Sequence, residues 1–146
     1  MSPLRLSEEP DASEADRAAV VGGLKAFNLQ YMPASPAEPL TLLLRDEAGA
    51  VRGGLLGATR WHWLFIDILW VDEDCRGQGH GQALLARAEA IAAGRGCRRA
   101  RLDTAEFQAR GFYENAGYRL FGELDDCPPG WRTFYLEKAI EGAESA

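Results

Sequence analysis

Apolar residues recur along this chain with two different spacings, which predict its helices and strands. Behind Ser13 they recur at helical spacing as far as Leu24, which predicts a helix with Ser13 as its N-cap. Leu4 and Leu6 predict a short first strand ahead of it. Residues 32–39 contain three prolines and are predicted to be an irregular loop.

The rest of the chain predicts strands and helices that alternate. Residues 40–45 and 51–59 flank a turn-forming segment and predict a hairpin. The apolar run 63–71 is the next strand, and the helical spacing that follows it stops near the glycines at 94 and 96. The remaining predicted elements are a strand at 98–104, a helix at 106–116, and a strand pair at 118–124 and 131–138.

The composition predicts one small globular domain. The chain has 146 residues and a hydrophobic content of 47%, which suits a single core over residues 1–140. We expect residues 141–146 to be a disordered tail. No apolar run reaches the roughly 20 residues of a membrane span, and the start has no apolar signal region. Three cysteines without metal-ligand spacing are expected to be free thiols, so a cytoplasmic protein is predicted.

The net charge restricts the classes of partner. A formal charge of −6 disfavours nucleic-acid binding, which needs clustered Lys and Arg. It is compatible with a cationic substrate such as an amine, with Asp72, Glu73 and Asp74 as one candidate acidic rim. The alternative is that these carboxylates form an ordinary solvated surface.

A glycine-dense segment follows the strand at 63–71. Arg76 precedes glycines at 77, 79 and 81, and a helical pattern begins directly after them. A strand, a glycine loop and a helix N-terminus together direct free backbone amides at a phosphate group. The spacing fits neither the dinucleotide fingerprint nor the P-loop. A phosphate-binding loop is therefore predicted, and a flexible turn is the alternative.

Two blocks resemble the GNAT superfamily of acyl-CoA N-acyltransferases. Arg76, Gly79 and Gly81 match its Arg/Gln-x-x-Gly-x-Gly/Ala signature. About thirty residues later, the segment from Phe112 to Tyr118 resembles the family's Phe-Tyr-Glu-Lys-x-Gly-Phe/Tyr segment, with Asn where Lys is usual. The resemblance covers roughly residues 40–138. It implies an α/β (α+β) fold with a mixed, mostly antiparallel central sheet of six to seven strands and helices on both faces.

The resemblance also implies acetyl-CoA as co-substrate. No metal is predicted, because the cysteines lack metal-ligand spacing. In the family the loop amides hold the pyrophosphate of coenzyme A, and the preceding strand holds its pantetheine arm. The cofactor-binding residues predicted in this way are Leu69, Trp70, Val71, Arg76, Gly77, Gln78, Gly79, His80, Gly81 and Gln82.

Acyl transfer from a thioester to an amine requires a base, an oxyanion donor and an acid. Asp67 is the only ionisable side chain in the strand at 63–71, and period-two alternation puts it on one face with Leu69 and Val71. A carboxylate among apolar side chains is expected to have a raised pKa, which suits a base; a structural carboxylate or a water chain is the alternative. The Tyr113 phenol is the predicted acid, and resemblance suggests the Val71 amide as oxyanion donor.

The predicted function is an acyl-CoA-dependent N-acetyltransferase that acetylates a primary amine through a ternary complex. The predicted acceptor is a small-molecule or a protein amine. Neither a nucleic acid nor a membrane is expected as a partner, and a homodimer is a possible assembly. The alternative is a catalytically idle acyl-CoA-binding or regulatory module. By resemblance, the candidate acceptor contacts are Phe27, Asn28, Tyr31 and Met32.

Overall fold

The computed structural model of this protein describes residues 2–140, and the chain divides into two compact units, 1–35 and 36–146. The first unit contains α1 (Glu14–Asn28). Ser13 caps it as predicted, because its Oγ accepts a hydrogen bond of 3.0 Å from the Asp16 amide. The prediction of a strand at Leu4 and Leu6 is wrong. Both side chains are fully exposed, and residues 2–9 form no strand with which backbone groups could pair.

The second unit contains one six-stranded sheet in the order β1-β2-β3-β4-β6-β5. The strands begin and end within two residues of their predicted limits. Their bounds are β1 (Glu38–Arg45), β2 (Val51–Arg60), β3 (Trp63–Val71), β4 (Arg99–Ala105), β5 (Arg119–Leu124) and β6 (Thr133–Ala139). A 3₁₀ turn (Glu73–Cys75) follows β3, and residues 141–146, predicted as a disordered tail, lie outside the described residues.

The sheet is mixed and mostly antiparallel, as predicted. Only β3 and β4 run parallel, and every other neighbouring pair is antiparallel. Two parallel strands need a crossover connection, and α2 (His80–Gly94) supplies it. This arrangement brings the carboxyl ends of β3 and β4 to the same edge of the sheet.

The core lies between α2 and the sheet. The helix contacts β1, β2 and β3, and its apolar residues at helical spacing are buried, because they form one stripe that faces the sheet. Its buried residues are Leu84, Leu85, Ala88 and Ala92. The sheet contributes Leu40, Leu55, Leu64, Ile66, Ala100, Leu102, Phe134 and Leu136.

A β-bulge at Asp67 changes the face of every residue that follows it in β3. Ile66 pairs with Gly57 and Ile68 pairs with Leu56, so β3 has one extra residue between these pairs. The extra residue reverses the alternation of side chains. Leu69 and Val71 therefore pack against the core cluster to which Leu64 and Ile66 belong. The prediction that Asp67 shares a face with Leu69 and Val71 is wrong for this reason.

The helix predicted at 106–116 is shorter in the structure, where α3 spans Arg110–Asn115. Two hydrogen bonds hold Glu106 to Arg132: the Glu106 backbone amide donates to the Arg132 carbonyl at 2.8 Å, and the Glu106 side-chain carboxylate accepts from the Arg132 amide at 3.0 Å. The Gln108 side-chain oxygen accepts a 2.7 Å hydrogen bond from the Ala105 amide. These contacts hold residues 105–108 in a turn and delay the helix.

Candidate active site

A cavity of about 850 Å³ opens where β3 and β4 diverge. The two strands pair from Trp63 with Arg99 as far as Ile66 with Leu102, and no register pair follows. Beyond that point the cavity has four walls, which are the end of β3, the end of β4, the glycine loop and α3. The lining residues are 67–71, 75–77, 79–82, 103, 104, 107–109, 112 and 113.

The end of β3 presents a backbone amide to this cavity. The Asp72 amide donates to the Arg52 carbonyl of β2 at 2.7 Å. Successive amides of a strand point in opposite directions, so the Val71 amide points away from β2, toward the gap. The Val71 carbonyl accepts a 2.9 Å hydrogen bond from Arg76 Nε, and Arg76 thereby fastens the start of the glycine loop to the strand end.

The glycine loop leads into α2 with open space above its backbone. Gly77 and Gly79 have φ of 76° and 85°, a region that glycine adopts at little cost. The first α2 hydrogen bond runs from the Ala83 amide to the Gly79 carbonyl at 3.0 Å, so the preceding amides have no acceptor within the helix. A Cβ at either glycine would have no heavy atom within 4 Å. Free amides, a positive helix end and open space together suit an anion such as a phosphate.

Gly81 connects this loop with α3. A Cβ at Gly81 would lie 3.2 Å from the Phe112 ring. The first turn of α2 is therefore in close contact with the Phe112 side chain of α3. The absence of a side chain at this position allows that approach.

Arg52 forms ion pairs with two carboxylates of the acidic turn after β3. Its Nε lies 2.8 Å from an Asp72 carboxylate oxygen, and its other nitrogens lie 3.5 Å from Asp46 and 3.8 Å from Asp74. The Arg52 hydrogen bond lowers the pKa of Asp72 below its ordinary value. Two carboxylates of the predicted acidic rim, Asp72 and Asp74, are therefore near a cation of the protein itself.

Tyr113 lies in α3 at the cavity wall. Its side chain is 8% exposed and packs edge-on against the rings of Phe112 and Tyr118. Burial raises the pKa of the Tyr113 phenol, because the phenolate would be poorly solvated. The hydroxyl is therefore protonated at neutral pH and can act as a hydrogen-bond or proton donor.

Asp67 is exposed and lines the cavity at the bulge. The shielded position predicted for its carboxylate is therefore wrong, because Asp67 is exposed at the bulge. Asp103 lines the same cavity and was missed by the sequence analysis. The last parallel pair joins Ile66 of β3 to Leu102 of β4. Asp67 and Asp103 are the residues that directly follow this pair, one on each strand. Asp103 could have been predicted from its place at the end of a strand, since the carboxyl ends of parallel strands meet at one edge of a sheet.

The turn between β4 and α3 also contributes to the cavity, which the sequence pattern did not predict. Thr104, Phe107 and Gln108 line the cavity, and Thr104 Oγ1 donates to Gln108 Oε1 at 3.2 Å.

The predicted acceptor contacts lie at and beyond the end of α1 in the first unit, where the Phe27 and Tyr31 rings are 5.3 Å apart. The acceptor role of Phe27, Asn28, Tyr31 and Met32 stays a prediction.

Comparison with known proteins identifies the family of this chain. The model of the acetyltransferase (GNAT) family matches residues 9–118. The chain belongs to the GNAT acetyltransferase family. It is 44% identical over 110 residues to a blasticidin-S acetyltransferase of Streptomyces morookaense, covering 75% of this chain and 81% of that protein. It is 38% identical over 133 residues to an acetyltransferase of Agrobacterium fabrum, covering 91% and 96%.

The GNAT fold is also found in solved structures. An acetyltransferase from Bacillus cereus superposes with a TM-score of 0.83 at 32% identity, over 92% of this chain and 98% of that one. The mixed sheet described above is thus that of the GNAT fold. Within residues 2–140, no helix is long and apolar enough to cross a membrane.

Proposed function

We propose that this protein transfers the acetyl group of acetyl-CoA to the primary amine of a small molecule, by direct attack in a ternary complex. The observation that carries the proposal is the cavity between the diverging ends of β3 and β4. It has the open glycine loop on one side and the buried Tyr113 on another. Anion-binding amides and a proton donor that share one cavity suit a phosphate-containing thioester.

The residues around the loop suit coenzyme A, and the GNAT family uses acetyl-CoA as co-substrate. The amides of residues 77–82 would hold the pyrophosphate, assisted by the α2 dipole. The strand edge at Leu69, Trp70 and Val71 would hold the pantetheine arm, because its outward amides are not used by β4. When bound, acetyl-CoA supplies an acetyl group activated as a thioester.

Three groups of this chain would handle protons and charge. Asp67 would accept a proton from the acceptor ammonium, directly or through water. The Val71 amide would donate a hydrogen bond to the thioester carbonyl oxygen, where negative charge develops. The Tyr113 hydroxyl would donate its proton to the departing sulfur.

The name of one relative suggests the class of acceptor. A 44% identical protein is named for acetylation of blasticidin S, so a small-molecule amine is the acceptor we propose and blasticidin S is the first to test. A protein amine is the alternative acceptor.

The proposed function predicts acetyl-CoA-dependent thiol release with an amine from a panel that includes blasticidin S, polyamines and a lysine peptide. We expect Gly79→Val to abolish acetyl-CoA binding in calorimetry, because the new side chain would occupy the open space above the loop. Gly49→Val is a matched control: Gly49 also has a positive φ (87°) and nothing within 4 Å. Both variants carry a similar strain, about 1–3 kcal/mol, but Gly49 lies in the β1–β2 turn.

Two results would contradict the proposal. Unchanged acetyl-CoA affinity in Gly79→Val would remove the loop from the binding site. Tight acetyl-CoA binding without transfer to any amine of the panel would favour the idle binding module.

A further inference from the structure

The helix that carries Tyr113 is too short to be stable by itself. α3 has six residues, whereas isolated helices below about 12–15 residues are marginal in water. The position of the Tyr113 hydroxyl therefore depends on what holds α3 from outside.

The C-terminal end of α3 is fixed by a Schellman motif. Gly117, with φ of 99°, donates its amide to the Glu114 carbonyl at 3.0 Å. The Tyr118 amide donates to the Tyr113 carbonyl, also at 3.0 Å. This pair of hydrogen bonds defines the motif, in which the residue after the glycine commonly contacts the last turn. Here the Tyr118 ring meets the Tyr113 ring edge-on, with centroids 6.0 Å apart.

Tyr118 is in turn anchored to two other elements. Its hydroxyl donates to Glu89 Oε2 of α2 at 2.8 Å, and Lys138 Nζ of β6 donates to the other oxygen, Oε1, at 2.7 Å. The Lys138 ammonium also lies 5.5 Å from the centroid of the Tyr118 ring. The Glu89 and Lys138 side chains are 15% and 25% exposed, so this pair is shielded from solvent and holds the Tyr118 ring in one orientation.

We propose that Tyr118 is a positioning residue for Tyr113, and that the Glu89–Lys138 ion pair fixes Tyr118 for this task. The inference rests on the proposed function of Tyr113 as the acid. Tyr118 touches Tyr113 through both its backbone amide and its ring, and the chain Lys138–Glu89–Tyr118–Tyr113 connects β6 and α2 to the cavity wall.

Tyr118 acts through Tyr113 because its own hydroxyl is engaged elsewhere. Tyr118 is 3% exposed and is not one of the residues that line the cavity. Burial and the neighbouring Glu89 carboxylate raise the pKa of the Tyr118 phenol, so its proton stays in the hydrogen bond to Glu89. Tyr118 therefore influences the cavity only by orienting Tyr113.

The test is Tyr118→Phe, which keeps the ring and removes only the anchoring hydroxyl. We expect kcat to fall about tenfold, since small misplacements of reacting groups cost up to about 10²-fold, while KM for acetyl-CoA stays unchanged. In a Tyr113→Phe background the same substitution should lower kcat no further, because residues that act as one unit are non-additive. Tyr135→Phe, which removes only the hydroxyl of a ring that packs on Phe121, is the matched control and should retain kcat.

A second readout does not depend on turnover. With ¹³C-labelled tyrosine, the Tyr113 resonance, assigned by its loss in Tyr113→Phe, should shift or broaden in both Tyr118→Phe and Glu89→Gln. An unchanged Tyr113 resonance would overturn the proposal, as would an equal kcat loss with and without the Tyr113 hydroxyl. If wild-type protein transfers no acetyl group, the proposed function fails, and the resonance still decides whether Tyr118 positions Tyr113.

Discussion

Two ionisable side chains of the cavity have opposite solvent environments. Tyr113 is buried against aromatic rings, whereas Asp67 is exposed at a bulge. Burial favours the neutral form of a phenol, and exposure leaves a carboxylate accessible to an incoming ammonium or to water. The two environments therefore suit a proton donor at Tyr113 and a proton acceptor at Asp67.

Replacing Tyr113 by Phe should lower kcat by about 10²–10⁴-fold, the usual contribution of a general acid. The ring packing is retained, so KM for acetyl-CoA and the melting temperature should change little. Because burial raises the pKa of Tyr113 above its ordinary value of 10.0, wild-type kcat should show no loss from this group below pH 10. A variant that keeps more than half of kcat, with chemistry rate-limiting, would exclude Tyr113 as the acid.

Replacing Asp67 by Asn should lower kcat/KM about 10²-fold or more, because an amide cannot accept the proton. Asp103→Asn is the matched comparison, since Asp103 holds the corresponding position on β4. An unchanged kcat/KM in Asp67→Asn would make Asp67 structural. An effect confined to Asp103→Asn would instead assign the proton to Asp103.

At the scale of elements, the site exists because two strands stop pairing. The parallel register of β3 and β4 ends at Ile66 and Leu102, and the bulge at Asp67 lies directly after it. The bulge turns Leu69 and Val71 into the core, which anchors the strand end while its outer amides remain unpaired. The α3 helix then closes the gap from the side, held by contacts from its C-terminal end.

Local pattern predicted most elements but not their irregularities. Period-two spacing predicted all six strands, and helical spacing predicted α1 and α2. In α2 the pattern arises because its apolar residues face the sheet, whereas α1 follows the same spacing with no buried residue. The bulge at Asp67 depends on how β2 aligns with β3, which no spacing within β3 reveals. The late start of α3 depends on Arg132, 26 residues from Glu106, and the Tyr118–Glu89–Lys138 contacts join three distant segments.

At the scale of the whole molecule, the glycine loop and Tyr113 were predicted from motifs, whereas Asp103, Thr104 and Gln108 at the cavity were not. A motif identifies residues whose type is fixed by chemistry, such as glycines at positive φ. The other lining residues belong to the site only because the crossover through α2 places β4 beside β3. Their recognition requires the topology of the sheet.

Two buried phenols should make the stability of the fold sensitive to alkaline pH. Burial raises the pKa of both Tyr113 and Tyr118, so the unfolded chain loses these protons near pH 10 while the folded protein retains them. The stabilisation is therefore complete below pH 10 and decreases as pH rises toward the folded-state pKa values. Above pH 10 the free energy of unfolding should fall by at most about 1.4 kcal/mol per pH unit for each phenol. Urea titrations between pH 8 and 11 should show a shallower fall for Tyr118→Phe than for wild type; superimposable slopes would show that the phenol of Tyr118 does not contribute.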